Sequence, residues 1–203
     1  MEACPVTTAC LESISGLTNL ESLNLDSCKI GDEGLAHLAG LLRLKILELS
    51  DTEVGSAGLR HLSDQNPKLD TIVKLLSEGA KKCNLESINL SFTLVTDNGL
   101  RKLSGLTTLR SLNLDARQIT DAGLAALTSL TGLTHLDLFG ARITDFGTNY
   151  FKNFKNLRSI EVCGGGITDA GVKNIKDLTS LTLLNLSQNC ELTDKTLELI
   201  SEI

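Results

Sequence analysis

Aromatic residues are scarce in this sequence: 203 residues include no Trp, one Tyr and five Phe. Proline is scarcer still, with two in the whole chain, which leaves no room for a Pro-rich linker or a disordered tail of that composition. Positive charge is in deficit, 19 Lys and Arg against 25 Asp and Glu, for a net charge of −6. A protein that grips a phosphate backbone needs a basic surface to displace counterions, so no nucleic acid partner is expected. No apolar run reaches the length of a membrane span, so no membrane partner is expected either. The first residues, MEACPVTTACLESIS, carry an acid at position 2 and no continuous apolar core, unlike a secretory signal. Six cysteines are scattered without a CxxC pair or other metal-ligand spacing. They read as free thiols in a reducing compartment, which points to the cytoplasm or nucleus.

What the chain has instead is aliphatic residues in a repeat. Segments starting at Leu20, Leu44, Leu85, Leu109, Leu133, Leu157 and Leu181 restart one pattern, spaced by 24 residues except for one interval of 41. A fixed period of this length signals stacked structural units. The pattern is L-x-x-L-x-L-x-x-x-x-[IV]-[TG]-[DS]-x-G-L-x-x-L-x-x-L, shown cleanly by LRSLNLDARQITDAGLAALTSLTG at 109–132. Its first part predicts a short strand with the fourth and sixth positions turned inward, such as Leu112 and Leu114. The spacing then lengthens to that of a helix, as in Leu35, Leu38 and Leu41. Thr96-Asp97, Thr120-Asp121, Thr144-Asp145 and Thr168-Asp169 stand where they can cap those helices and favour their dipoles. Gly34, Gly58, Gly99, Gly123, Gly147 and Gly171 recur one residue before the apolar stripe. In a helix, which glycine disfavours, that recurrence predicts close packing against the neighbouring coil.

One repeat offers about seven apolar positions worth roughly 1.5–3 kcal/mol each when buried. Ordering its backbone costs about 1–2 kcal/mol per residue. A repeat alone therefore does not fold, and stacking is required. The expected organisation is a single domain over 1–203, with a half repeat at 6–19 followed by the seven full repeats. Both ends look cut, since neither shows an atypical polar repeat, so self-association through uncapped ends is one expectation. The interval of 41 places an insertion at 64–83 within the second full repeat. There Asn66-Pro67 and the spacing of Leu69, Ile72, Val73, Leu76 and Ala80 predict an extra amphipathic helix at about 68–78.

Repeats such as LESINLSFTLVTDNGLRKLSGLTT resemble the cysteine-containing, ribonuclease-inhibitor-like class of leucine-rich repeats, and are most similar to plant F-box/leucine-rich-repeat proteins. The resemblance covers the repeat region and no F-box. It implies an α/β fold, a right-handed leucine-rich-repeat solenoid (horseshoe) with a concave parallel β-sheet and convex short helices. It also implies a protein–protein interaction module that recognises substrates for ubiquitin-dependent degradation. A structural scaffold that self-associates is the alternative.

Strand residues that alternate away from the core face the concave side. Asp26, Glu48, Asp51, Asp115, Asp137 and Glu161 fall there, with no Lys or Arg at the same positions. A protein or peptide with a basic patch, steered electrostatically, would suit them; a solvated polar strand surface is the plainer reading. His135 and Phe139 share a strand with Asp137, and Phe139 has the character of an interface anchor. The seventh strand-side position of the repeat from Leu157, Cys163, is expected on this face as well. Phe146 and Tyr150, four apart on the outer helix of the repeat from Leu133, would form an exposed patch or else reflect repacking around Phe151 and Phe154.

No catalytic constellation emerges. His37, His61 and His135 are too few and too dispersed for a zinc site, so no metal is expected. Gly164 to Gly166 lead into neither a P-loop nor a dinucleotide-binding helix, and no serine lies in a G-x-S-x-G elbow. The expected protein is not an enzyme and uses no cofactor.

Overall fold

The computed structural model describes residues 4–62, 84–115 and 118–201, with side chains from residue 6 onward. Seven parallel strands form one sheet in chain order: β2 (Ser22–Asn24), β4 (Ile46–Glu48), β5 (Ser87–Asn89), β6 (Ser111–Asn113), β7 (His135–Asp137), β8 (Ser159–Glu161) and β9 (Leu183–Asn185). In a separate two-stranded sheet, β1 (Cys4–Thr7) pairs in parallel with β3 (Cys28–Lys29). Each strand of the larger sheet is one coil of the repeat, and each coil returns through a short helix or turn. The helices are α1 (Thr8–Leu11), α2 (Asp32–Leu38), α3 (Asp97–Leu103), α4 (Asp121–Ala126), α5 (Asp145–Thr148), α6 (Asp169–Val172) and α7 (Asp194–Ile200). Gly58–His61 is a 3₁₀ turn at the corresponding place in the second full repeat.

The core lies between sheet and helices. Leu112 and Leu114 from the strand side and Leu124, Leu127 and Leu130 from the return are all buried, as are their counterparts in neighbouring coils. Phe151 and Phe154 take the places of Leu127 and Leu130 one repeat later and are completely buried, so the core there is simply bulkier. The terminal coils are less covered. Leu181, Leu184, Leu186 and Leu192 are only partly buried, and Leu197 is 69% exposed.

The 17-residue excess of the long interval leaves the sheet undisturbed, because Ile46 pairs with Ser87 as Ser22 pairs with Ile46. The predicted helix at about 68–78 lies outside the described residues.

The Thr-Asp expectation holds with one exception. Thr120, Thr144 and Thr168 each accept a hydrogen bond from the backbone N–H two residues on, at 3.3, 3.2 and 3.1 Å, and Thr193 does the same at 3.3 Å. Thr96 makes no such cap. Its hydroxyl lies 2.9 Å from Ser56 Oγ of the preceding coil, and that serine also accepts the Thr96 N–H.

Candidate functional site

Pairing places one residue from each strand in a continuous row across the sheet: Asn24, Glu48, Asn89, Asn113, Asp137, Glu161 and Asn185. Alternation along the strands fixes the row's side. Leu47, Ile88, Leu112, Leu136 and Ile160, between the row and its flanking residues, point into the core. The row therefore looks out from the sheet face opposite the helices, the concave side of such a solenoid.

The row does structural work before any binding. Asn24, Asn89, Asn113, Asp137 and Asn185 each accept the backbone N–H two residues on, at 2.9 to 3.1 Å. These turns hold the chain as it leaves the strand. Asp137 thus spends one oxygen on Phe139 N–H while its neighbour Glu161 accepts from Asn185 Nδ2 at 2.9 Å. Burial pushes the Asp137 carboxyl up; the Phe139 N–H opposes that, and the negative charges of Glu161 and Asp115 add to it. Asp137 and Glu161 are half-buried and directly paired in register, an electronegative spot on adjacent strands.

The remaining expected residues spread around that spot. Asp115 and Phe139 stand just past the ends of β6 and β7, half-buried. His135 is exposed on the same strand as Asp137, with Nδ1 2.9 Å from Thr134 Oγ1. Glu48 is half-buried and three coils from Asp137 in the row; Asp26 is exposed at the far end of the sheet. Asp51 is exposed but lies beyond its strand in left-handed backbone (φ 52°), so it belongs to the strand-exit edge rather than to the row.

One expectation is corrected. Cys163 does not face the concave surface: it is completely buried. Its thiol lies 3.6 Å from the Asn185 carbonyl and accepts from Ser187 Oγ at 3.4 Å. Beyond the strand's last residue the strict alternation of a β-strand lapses, and a small, weakly polar thiol fits against the next coil. Ser91 is buried at the same repeat position for the same reason, its hydroxyl bonded to Asn113 Oδ1.

Two surface features were not read from the sequence. Phe92, 66% exposed, stands at the strand exit with φ 54°, and Leu94 beside it is 59% exposed. Ser27, Asp51, Gly140, Gly164 and Gln188 share the same repeat position and also have positive φ. A groove of about 640 Å³ runs along this edge past Phe92, Asp115, Phe139, Arg142 and Gln188. Among the described residues, no group of three or more His, Cys, Asp or Glu could hold a metal ion. No helix among them is long and apolar enough to cross a membrane.

A sheet of short parallel strands, one per coil, with helical returns and a leucine-lined interior is the leucine-rich-repeat solenoid. The leucine-rich-repeat family model matches residues 16–39, 81–104, 105–127 and 177–201. Among solved structures the chain is similar to an internalin (inlF) from Listeria monocytogenes, with a TM-score of 0.70 and 25% identity over 95% of this chain. It spans about half of that structure, 48%. It is also similar to internalin C2 (inlC2) from the same organism, with a TM-score of 0.68 and 25% identity, covering 97% of this chain and 81% of that one. No curated protein matches the chain. Leucine-rich-repeat domains generally mediate protein–protein interaction, and the fold is typically a non-enzymatic interaction module.

Proposed function

We propose that this chain binds a partner protein through its concave face, and that the partner presents a basic peptide or patch there. The observation that carries this is the register of Asp137 and Glu161. Two carboxylates sit side by side on adjacent strands, with Asp115 past the neighbouring strand and no Lys or Arg anywhere in the row. Such an arrangement attracts positive charge and raises the encounter rate with it. His135 and Phe139 flank the pair and supply contact area.

The test uses the full chain and fluorescent Lys/Arg-rich peptides, with the triple variant Glu48→Gln, Asp137→Asn, Glu161→Gln as comparison. These changes remove charge and keep an oxygen acceptor at each place. Binding should weaken by about tenfold or more, ~1.4 kcal/mol, and should fall with added salt in the wild type only. Equal affinity for both proteins would sink the reading.

A second reading has copies associate through the terminal coils, where Leu17 at one end and Leu183 and Leu197 at the other are 52, 46 and 69% exposed. Sedimentation against concentration separates it from the first. The finer role, substrate recognition in ubiquitin-dependent degradation, is supported by the resemblance of the repeats to plant F-box proteins and by no feature of the site. A cytoplasmic or nuclear location is supported by Cys10, Cys163 and Cys190, which form no disulfide among the described residues.

A further inference from the structure

The return helices carry a feature that the concave face does not explain. On α4 the helix positions that are not fully buried, Asp121 aside, are Ala122, which is exposed, and Ala125 and Ala126, which are half-buried. At the corresponding repeat positions α3 carries Asn98, Arg101 and Lys102, and the return after β7 carries Phe146, Asn149 and Tyr150. One helix is stripped to methyl groups between two that are not. The result is a trough of about 660 Å³ with Ala122, Ala125 and Ala126 as its floor, Phe146 and Tyr150 on one wall and Arg101 on the other.

We propose that this trough is a second docking site, on the convex side, for a peptide segment of a partner protein that carries a large apolar residue close to an Asp or Glu. Phe146 is 65% exposed, whereas Phe151 and Phe154 of the same repeat fill the core. Its ring meets Tyr150 edge-to-face, with centroids 5.9 Å apart and planes at 86°. That contact holds the ring upright as a wall instead of letting it fold down over the alanines. An exposed aromatic above a methyl floor is the kind of surface that takes an apolar anchor.

The charge of the trough selects what accompanies the anchor. Arg101 is exposed and makes no salt bridge among the described residues. Lys102, its neighbour, is turned away, its Nζ donating to the Ser56 carbonyl at 2.6 Å. Asp121, the acid at the trough's end, is engaged by Thr144, whose N–H and O–H it accepts at 2.9 and 2.6 Å. The exposed cation lining the trough is Arg101, whose planar guanidinium fork matches a carboxylate. An apolar side chain on the floor against Phe146 and a nearby carboxylate on Arg101 satisfy both walls at once.

The test is selection of a random dodecapeptide display library on the full chain, followed by affinity measurement of the enriched peptides. Enriched sequences should pair Leu, Met, Phe or Trp with Asp or Glu within a helical turn. Their affinity should fall by about tenfold or more with Phe146→Ala, with Arg101→Glu, and with Ala125→Gln, which fills the floor. Exchanging the peptide's acid for Lys should recover binding to Arg101→Glu. All three changes lie at the surface, and circular dichroism confirms that each variant is folded. The concave variant Glu48→Gln, Asp137→Asn, Glu161→Gln should bind these peptides like the wild type, so failure of either site is distinguishable from failure of the other. Three results would overturn the proposal: no enrichment, enriched peptides without an acid, or peptides indifferent to Phe146→Ala and Arg101→Glu.

Discussion

Asp97 accepts both donors of Thr120, the backbone N–H at 2.9 Å and the hydroxyl at 2.6 Å, from one coil to the next. The same pair of bonds joins Asp121 to Thr144, Asp145 to Thr168 and Asp169 to Thr193. Each threonine hydroxyl then accepts from its own helix, as described above, so it is donor to one coil and acceptor for the next turn of its own. The aspartates therefore do more than favour a helix dipole. They stitch consecutive coils, and Ser56 performs the part at Thr96 where no aspartate is available.

The recurrent glycine belongs to the same device. A methyl group on Gly147 would overlap Asp121 Oδ1, and one on Gly123 would overlap Asp97 Oδ1. Alanine is normally the better helix residue by about 0.8–1 kcal/mol; Gly147→Ala should instead destabilise by about 1–3 kcal/mol. Asp121→Ala should cost about 1.5–3 kcal/mol, the range for a hydrogen-bonded charged group. Combined, the two should cost less than their sum by at least about 0.5 kcal/mol, because the methyl then enters space the carboxylate has left. Urea denaturation of the wild type, both single variants and the double variant gives the coupling directly. Strict additivity would mean that the carboxylate is not what demands glycine.

The repeat made most of this fold legible. Leucine spacing placed the seven strands of the described sheet, and glycine recurrence correctly signalled close packing. The partner in that packing was not legible, because Asp121 and Gly147 lie in different repeats and only the stacking brings them together. Alternation put Asp137 and Glu161 out of the core, where they pair in register half-buried, but misplaced Cys163, which stands past the end of β8 where alternation no longer applies. The left-handed backbone at the strand exit was hidden for another reason. Ser27, Asp51, Phe92 and Gln188 share no side-chain property that would announce it.

Two carboxylates should move stability with pH in opposite directions. The Asp137 carboxyl is raised, by burial first and then by Glu161 and Asp115. The folded state therefore holds its proton to higher pH than the unfolded chain, and stability falls as pH rises from the ordinary aspartate range through that raised value. Asp169 is lowered by hydrogen bonds from Thr193 and Thr196. Its contribution is present above the ordinary range and is lost as pH falls through the lowered value. Asp137→Asn keeps an acceptor for Phe139 N–H, as Asn113 does for Asp115 N–H, and removes the repulsion. Its urea midpoint should exceed the wild type's at neutral pH and converge with it in acid. Asp169→Asn should show the reverse, a deficit at neutral pH that shrinks as the solution is acidified. Parallel pH curves for wild type and Asp137→Asn would show that the carboxylate is not strained by its neighbours.

Phe92 combines a bulky side chain with φ 54° and 66% exposure, so its backbone is unfavourable and little packing offsets it. Truncation separates the two effects. Phe92→Ala and Phe92→Gly both give up the ring's remaining contacts, but only glycine adopts this conformation freely. The left-handed region costs a residue with a Cβ about 1–2 kcal/mol. Glycine's looser unfolded chain returns about 0.4–1 kcal/mol of that advantage. The glycine variant should therefore be the more stable of the two by about 0.5–1 kcal/mol, reversing the order expected at an ordinary exposed position. Thermal and urea unfolding of the pair decide it. An alanine variant equal to or more stable than the glycine variant would mean that the strand exit at residue 92 does not keep its left-handed turn once the ring is gone.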